Sequence, residues 1–140
     1  MALLSLAMGV ILQAAAAMPP PAFTTVEKGQ DSAVEDARNV TVRSQAEWIK
    51  VWRMHNFEKP APKVDFTKDM VVGVFMGGRS SAGFNVEIVG ARVEAGKLVV
   101  QYREDVPARG TMTAQILTSP YHLVSVPRVD GDVKFEPVTK

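Results

Sequence analysis

The sequence predicts a mainly β, α+β fold: a small antiparallel β-sandwich or barrel-like sheet of about seven or eight strands with one packed helix. Short segments rich in β-branched and aromatic residues recur along the chain, separated by Gly, Pro and Asp turn signals. The unbroken apolar segment Met70–Met76 is typical of a central strand that is covered on both faces. The clearest helix-start pattern is at Ser44–Glu47.

The N-terminus predicts export. Residues 1–17 are apolar, carry no charged side chain and end in four alanines, as in a cleaved signal peptide. Residues 18–22 are then a proline-rich, extended lead-in, and residues 23–140 are one β-rich domain. We therefore expect a secreted or periplasmic protein, located in the cell envelope, with no stable membrane insertion after the signal is removed.

Composition excludes several function classes. The chain has 140 residues, with 16 basic and 15 acidic side chains and no basic stripe, so nucleic acid is not an expected partner. Cysteine is absent, which excludes disulfides, a cysteine nucleophile and thiolate metal sites. The histidines, His55 and His122, are far apart and belong to no HExxH motif, so we expect no metal and no cofactor.

The first half of the domain is predicted to supply two strands and the helix. Ala22–Glu27 and Val40–Val42 are rich in strand formers. The capping box at Ser44–Glu47 predicts a helix from about Gln45 to about Met54. Trp48, Ile49 and Trp52 fall on one face of this helix, and we expect the two tryptophans to pack on the sheet.

The second half is predicted to be strands and turns. Apolar and polar residues alternate from Phe84 to Ile88, and Glu94–Lys97 is typical of a hairpin turn. The remaining strands are predicted at Leu98–Arg103, Thr111–Leu117, Tyr121–Val126 and Val133–Phe135.

The loop Gly77–Phe84 joins two of these predicted strands and consists of small residues around one arginine. It is consistent either with a plain hairpin connection or with a binding loop held out by a rigid sheet. Serine hydrolysis is excluded by pattern, because Gly-x-Ser-x-Gly fits neither Ser80 nor Ser81. The loop also lacks a Walker A ending, and we expect no enzymatic activity.

Two motifs carry a family resemblance. The first is Gly77-Gly78-Arg79-Ser80-Ser81-Ala82-Gly83-Phe84, and the second is Leu117-Thr118-Ser119-Pro120-Tyr121-His122-Leu123-Val124. With these motifs the segment Met70–Pro127 resembles the C-terminal domain of the protease-complex subunit PrcB. The first motif departs from the family pattern, with Ser80 for Pro, Ser81 for Thr, Ala82 for Gly and Phe84 for Tyr.

The resemblance implies an exported, non-catalytic protein-binding module, as an accessory or stabilising subunit of a secreted or envelope protease. The family's lipid attachment through cysteine does not carry over to this sequence. The candidate binding residues are Gly77, Gly78, Arg79, Ser80, Ser81, Gly83, Phe84, Pro120, Tyr121 and His122. Two alternatives stay open: a protease inhibitor that presents the Gly77–Phe84 loop, and a structural envelope domain without a dedicated ligand. The distance in space between the two motifs bears on this choice.

Overall fold

A computed structural model describes residues 23–139, which form seven β-strands and one α-helix. The helix α1 is Gln45–His55. The strands are β1 (Thr24–Gly29), β2 (Arg38–Val42), β3 (Asp69–Phe75), β4 (Asn85–Glu94), β5 (Lys97–Asp105), β6 (Tyr121–Pro127) and β7 (Val133–Pro137). The helix and six of the eight predicted strands lie within a few residues of their expected positions. The β4 strand begins at its predicted alternating segment and extends beyond it. The predicted strand Thr111–Leu117 does not form.

The strands form two sheets. The first sheet has the order β1-β6-β3-β2 and is antiparallel throughout. The second has the order β4-β5-β7, in which β4 and β5 are antiparallel and β7 runs parallel to β5. Since neither sheet closes on itself, the molecule is a sandwich-like α+β fold. This confirms the predicted class and selects the sandwich over the barrel.

Strand β3 is central and buried on both faces, as its unbroken apolar sequence predicts. Met70, Val72 and Val74 belong to the core between the two sheets. Val71 and Phe75 belong to a second core, under the helix. Alternate side chains of a strand point to opposite faces, so a strand with a core on each side must be apolar at both sets of positions.

Helix α1 begins and packs as predicted, with one difference at its cap. Ser44 has extended backbone angles, and its Oγ accepts a hydrogen bond from Glu47 N at 3.2 Å. Glu47 Oε2 accepts from Arg43 N at 3.3 Å, one residue before the expected N-cap amide. Trp48 and Trp52 are buried in the core under the helix, and each indole N–H donates to a backbone carbonyl at 2.8 Å.

The predicted hairpin turn between β4 and β5 is confirmed. Ala95 and Gly96 have φ angles of 51° and 77°. Positive φ at both central residues is the requirement of a type I′ turn, whose twist matches that of the flanking strands. The turn therefore sets the β4–β5 register, in which Glu94 lies opposite Lys97.

Two sequence interpretations are wrong. Thr111–Leu117 is not a strand: it is irregular, and the pairing next to it is an isolated bridge between Thr118 and Arg79. An apolar segment becomes a strand only where a neighbouring strand can accept its backbone hydrogen bonds. The Gly77–Phe84 loop is not a hairpin connection, because β3 and β4 lie in different sheets and the loop crosses between them.

The predicted signal peptide and lead-in, residues 1–22, lie outside the described residues. Within residues 23–139, no helix has the length and apolar character needed to span a membrane.

Candidate functional site

The two motifs are adjacent in space, at the end of the first sheet. Arg79 N donates to Thr118 O at 2.7 Å, and Thr118 N donates back to Arg79 O at 2.9 Å. Further along the loop, Ala82 N donates to Ala114 O at 2.9 Å, and Thr118 Oγ1 donates to Ser81 O at 2.9 Å. The Gly77–Phe84 loop is thus clamped along its length to the segment that precedes β6.

Position 77 requires glycine for two reasons, the backbone conformation and the lack of room for a Cβ atom. Its φ is 86°, and a Cβ at this position would lie 2.8 Å from Ala37 N and 3.0 Å from Glu35 O. The next residue, Gly78, donates its N–H to Glu35 O at 2.9 Å. Glycine therefore lets β3 pass close to residues 35–37, which fixes where the loop begins.

Arg79 and Phe84 pack against each other. The Arg79 guanidinium carbon lies 5.2 Å from the centre of the Phe84 ring, and Arg79 Nη2 donates to Met76 O at 3.3 Å. Phe84 in turn contacts the core between the sheets. Ser80 is exposed, whereas Ser81 is half-buried and donates its hydroxyl to Ala82 O. The side chains of the loop are thus largely directed to the protein itself.

A groove of about 650 Å³ lies beside the loop. It is lined by Gln30, Asp31, Ser32, Ala33, Glu35, Gly78, Arg79, Ser80, Leu117, Thr118 and Ser119. Both motifs contribute to it, together with the segment after β1, which the sequence interpretation did not include. Ser119 N donates to Gln30 O and Ser32 N donates to Ser119 O, so backbone hydrogen bonds hold that segment in place.

The segment 106–117 leads into the groove and exposes apolar side chains. The exposed fractions are 63% for Val106, 97% for Met112, 56% for Ile116 and 89% for Leu117. We refer to these four side chains as the apolar rim. The segment lies against the loop, since Pro107 and Thr113 are the side chains that a Cβ on Gly83 would meet.

Pro120, Tyr121 and His122 are not part of an exposed loop. All three are buried, and Tyr121 and His122 belong to β6. These three candidate binding residues are therefore packed inside the protein and present no exposed loop beside Gly77–Phe84. Within the second motif, Leu117 at its start is exposed, and Leu117, Thr118 and Ser119 line the groove.

His122 instead joins the two sheets. Its Nδ1 accepts a hydrogen bond from Ile88 N of β4 at 2.8 Å, so the ring proton is on Nε2, which donates to Thr25 Oγ1 at 2.9 Å. Burial, with a smaller contribution from Lys28, lowers the pKa of His122 to about 4. The ring is therefore neutral at physiological pH, as its acceptor role requires.

His55 is the centre of a second buried network. Its Nδ1 lies 2.8 Å from Ser32 Oγ, and its Nε2 lies 2.7 Å from Glu27 Oε1, which also accepts from Tyr121 OH at 2.6 Å. Burial alone would raise the pKa of Glu27, but the hydrogen bonds from Tyr121 and His55 outweigh it and hold the pKa below its ordinary value. Burial and the bond to Glu27 raise the pKa of Tyr121.

Ser32, His55 and Glu27 are connected in the order of a catalytic triad, but the backbone groups around them are engaged in hydrogen bonds that hold the fold. Ser32 is buried, and the amides of Ser32, Ala33 and Val34 donate to Ser119 O, His55 O and Ser32 Oγ. They are therefore not free to stabilise an oxyanion. Sequence reasoning missed the network because its members come from distant parts of the chain. In the described part of the chain, no three His, Asp or Glu side chains are grouped to hold a metal ion.

Comparison with known proteins identifies one family. Residues 70–127 match the family model described as PrcB C-terminal. No curated protein and no solved structure matches the chain. The matched segment runs from β3 to the end of β6 and contains the Gly77–Phe84 loop, the apolar rim and one side of the groove. The resemblance predicted from the two motifs is thereby confirmed, since residues 70–127 of this chain are similar to the PrcB C-terminal family.

Proposed function

We propose that this protein is an exported, non-catalytic protein-binding module that acts as an accessory or stabilising subunit of a secreted or envelope protease. The match to the PrcB C-terminal family supports association with a protease complex. The apolar rim and one side of the groove lie within the matched segment, and the groove and the rim supply the surface on which such a partner would bind.

The observation that carries this proposal is the exposure of the apolar rim. Exposed apolar side chains along a segment that ends at a groove are typical of protein-contact surfaces, and Leu117 of the rim lines the groove itself. The backbone hydrogen bonds of Arg79 with Thr118 and of Ala82 with Ala114 hold this surface before any partner arrives. A surface that is already ordered loses less conformational entropy on binding.

Capture from the secreted or envelope fraction tests the proposal. The tagged mature chain should recover a protease, and the double variant Met112→Ser/Leu117→Ser should recover at least about tenfold less, because it removes the most exposed apolar contacts. A matched control is Phe57→Ser/Val93→Thr, which changes two exposed apolar side chains away from the groove. Recovery of no protease, or equal recovery by both double variants, would contradict the proposal.

The inhibitor alternative requires the Gly77–Phe84 loop itself to enter a protease cleft. The packing of Arg79 on Phe84 and the clamping of the loop favour contact through the groove and the apolar rim instead. Titration of the captured protease with this protein separates the two functions. An inhibitor lowers the protease turnover, whereas a stabilising subunit leaves the turnover unchanged or prolongs the lifetime of the protease activity. A structural envelope domain without a ligand would capture nothing.

Export is proposed from residues 1–17 alone. We expect the mature protein in the medium or periplasm, with an N-terminus within a few residues of Met18. Cell fractionation followed by N-terminal sequencing checks this. A cytoplasmic protein that retains Met1 would overturn it, independently of the binding experiments.

A further inference from the structure

The groove combines a fixed backbone frame with unpaired carboxylates. Residues 30–32 run along one side of Thr118–Ser119, and the Gly77–Phe84 loop runs along the other. Asp31 and Glu35 line the groove, are exposed and form no ion pair with any residue from 23 to 139. The groove therefore offers negative charge on a framework that hydrogen bonds already hold in place.

The basic residue on the groove, Arg79, makes no ion pair with these carboxylates. Its guanidinium is directed to the Phe84 ring and to Met76 O. Two carboxylates that share a groove favour a ligand of opposite charge. A cationic side chain of the partner would meet either of them without displacing an existing ion pair.

Leu117 adds an apolar contact to the same groove. It lines the groove while remaining almost fully exposed, and Ile116 and Met112 continue the apolar rim beyond it. A ligand that fits both features must carry apolar and basic side chains within a short distance. An extended peptide does so when a basic and an apolar residue lie two positions apart, because side chains at positions i and i+2 point to the same face.

We propose that the groove binds an extended peptide segment of the partner in which basic residues and an apolar residue lie two positions apart, on one face of the peptide, the basic ones beside Asp31 and Glu35 and the apolar one on Leu117. This rests on the proposed function and specifies the chemistry of the partner. Binding of such a segment weakens as salt is added, because the contacts between exposed charges are screened.

The experiment uses the mature chain and two capped peptides of about six residues, which carry one Leu and, two positions from it on the same face, Lys in one peptide and Glu in the other, with the remaining positions identical. Fluorescence anisotropy should show the Lys peptide binding at least about tenfold more tightly than the Glu peptide. Asp31→Asn/Glu35→Gln should remove this preference, and Leu117→Ser should weaken binding of the Lys peptide. The control Glu104→Gln/Asp132→Asn makes the same change of charge at exposed acids outside the groove and should leave the preference intact.

Equal affinity for both peptides, or a preference that survives Asp31→Asn/Glu35→Gln, would overturn the inference. Protease capture by the same variants separates this failure from a failure of the proposed function. If the wild type and Asp31→Asn/Glu35→Gln capture protease equally, the partner binds elsewhere and only the groove inference fails. If the wild type captures no protease, the proposed function itself fails.

Discussion

Gly77 and His122 show how single residues of the family segment are fixed by their surroundings. Gly77 combines a positive φ with backbone atoms at 2.8 Å and 3.0 Å from where a Cβ would be. His122 is held in one neutral tautomer by a backbone donor and a threonine hydroxyl. For both residues the requirement is structural, so each can be tested through stability.

Gly77→Ala should destabilise the protein by about 2–4 kcal/mol, because it adds a steric clash to the cost of a positive φ. The matched control is Gly110→Ala, where φ is 84° and nothing lies within 4 Å of the added Cβ. That control should cost only about 1 kcal/mol. Urea unfolding measures both, and equal losses would show that the close approach to residues 35–37 costs nothing.

The lowered pKa of His122 predicts that the protein loses stability in mild acid. Its pKa is about 4 in the folded protein, below the ordinary 6.5, so the unfolded chain binds the proton first. Stability is therefore full above about pH 6.5 and falls as the pH drops towards about 4, by roughly 2 kcal/mol from this group at about pH 4.5. Denaturation midpoints at several pH values measure the slope.

His122→Asn is the variant that isolates this contribution. Its Oδ1 is placed to accept from Ile88 N, and its side chain does not titrate. The variant should be less stable than wild type at neutral pH, but its stability should fall less between about pH 6.5 and 4.5. Parallel pH profiles for the two proteins would contradict a role for His122 in acid sensitivity.

At the scale of elements, helix α1 and the Gly77–Phe84 loop differ in how far local sequence determines them. The helix carries its own start signal in Ser44 and its own apolar face in Trp48 and Trp52. The loop carries glycines that permit several paths, and its path is decided by hydrogen bonds to Thr118 and Ala114. Its crossing between the sheets therefore depends on residues 32 to 39 positions away in the sequence.

Ser44→Ala should destabilise the protein by about 1 kcal/mol, because Glu47 N loses its hydrogen-bond acceptor at the start of the helix. Gln45→Ala is the control, since Gln45 is exposed and lies in the same turn. It should change stability by less than about 0.5 kcal/mol. Thermal unfolding followed by circular dichroism compares the two variants.

At the scale of the whole molecule, the two cores are linked by buried polar groups. The His122 side chain connects β6 to β4 across the sandwich. The Glu27, Ser32, His55 and Tyr121 side chains connect β1, the segment after it, α1 and β6 on the other side of the first sheet. The same network holds the segment 30–35 that forms one side of the groove, so the site depends on the integrity of the fold.

Tyr121→Phe should cost about 1–2 kcal/mol at neutral pH, since Glu27 loses a charge-assisted hydrogen bond. This bond lowers the pKa of Glu27, so it stabilises the folded protein above the ordinary pKa of Glu27 and is lost as the carboxylate is protonated. The difference from wild type should therefore shrink in acid. Tyr102→Phe, at a half-buried tyrosine of the second sheet, is the control and should have little effect.

Local sequence by itself determined the mainly β class, the helix and its cap, the burial of β3 on both faces and the β4–β5 turn. These features depend on periodicity and on residues that lie close together in the chain, which is also why the two motifs were enough to predict the PrcB C-terminal match. The candidate site was predicted in part: Gly78, Arg79 and Ser80 line the groove, whereas Pro120, Tyr121 and His122 are buried.

Only the tertiary structure decided which strands share a sheet, that Gly77–Phe84 crosses between sheets and that Thr111–Leu117 is an exposed irregular segment. It also brought Asp31, Glu35 and Leu117 to one groove. The physical reason is that a backbone hydrogen bond or a buried ion pair needs a partner, and these partners come from residues far apart in the sequence. Periodicity shows which face of a segment is apolar, but the packing of the whole chain selects what that face meets.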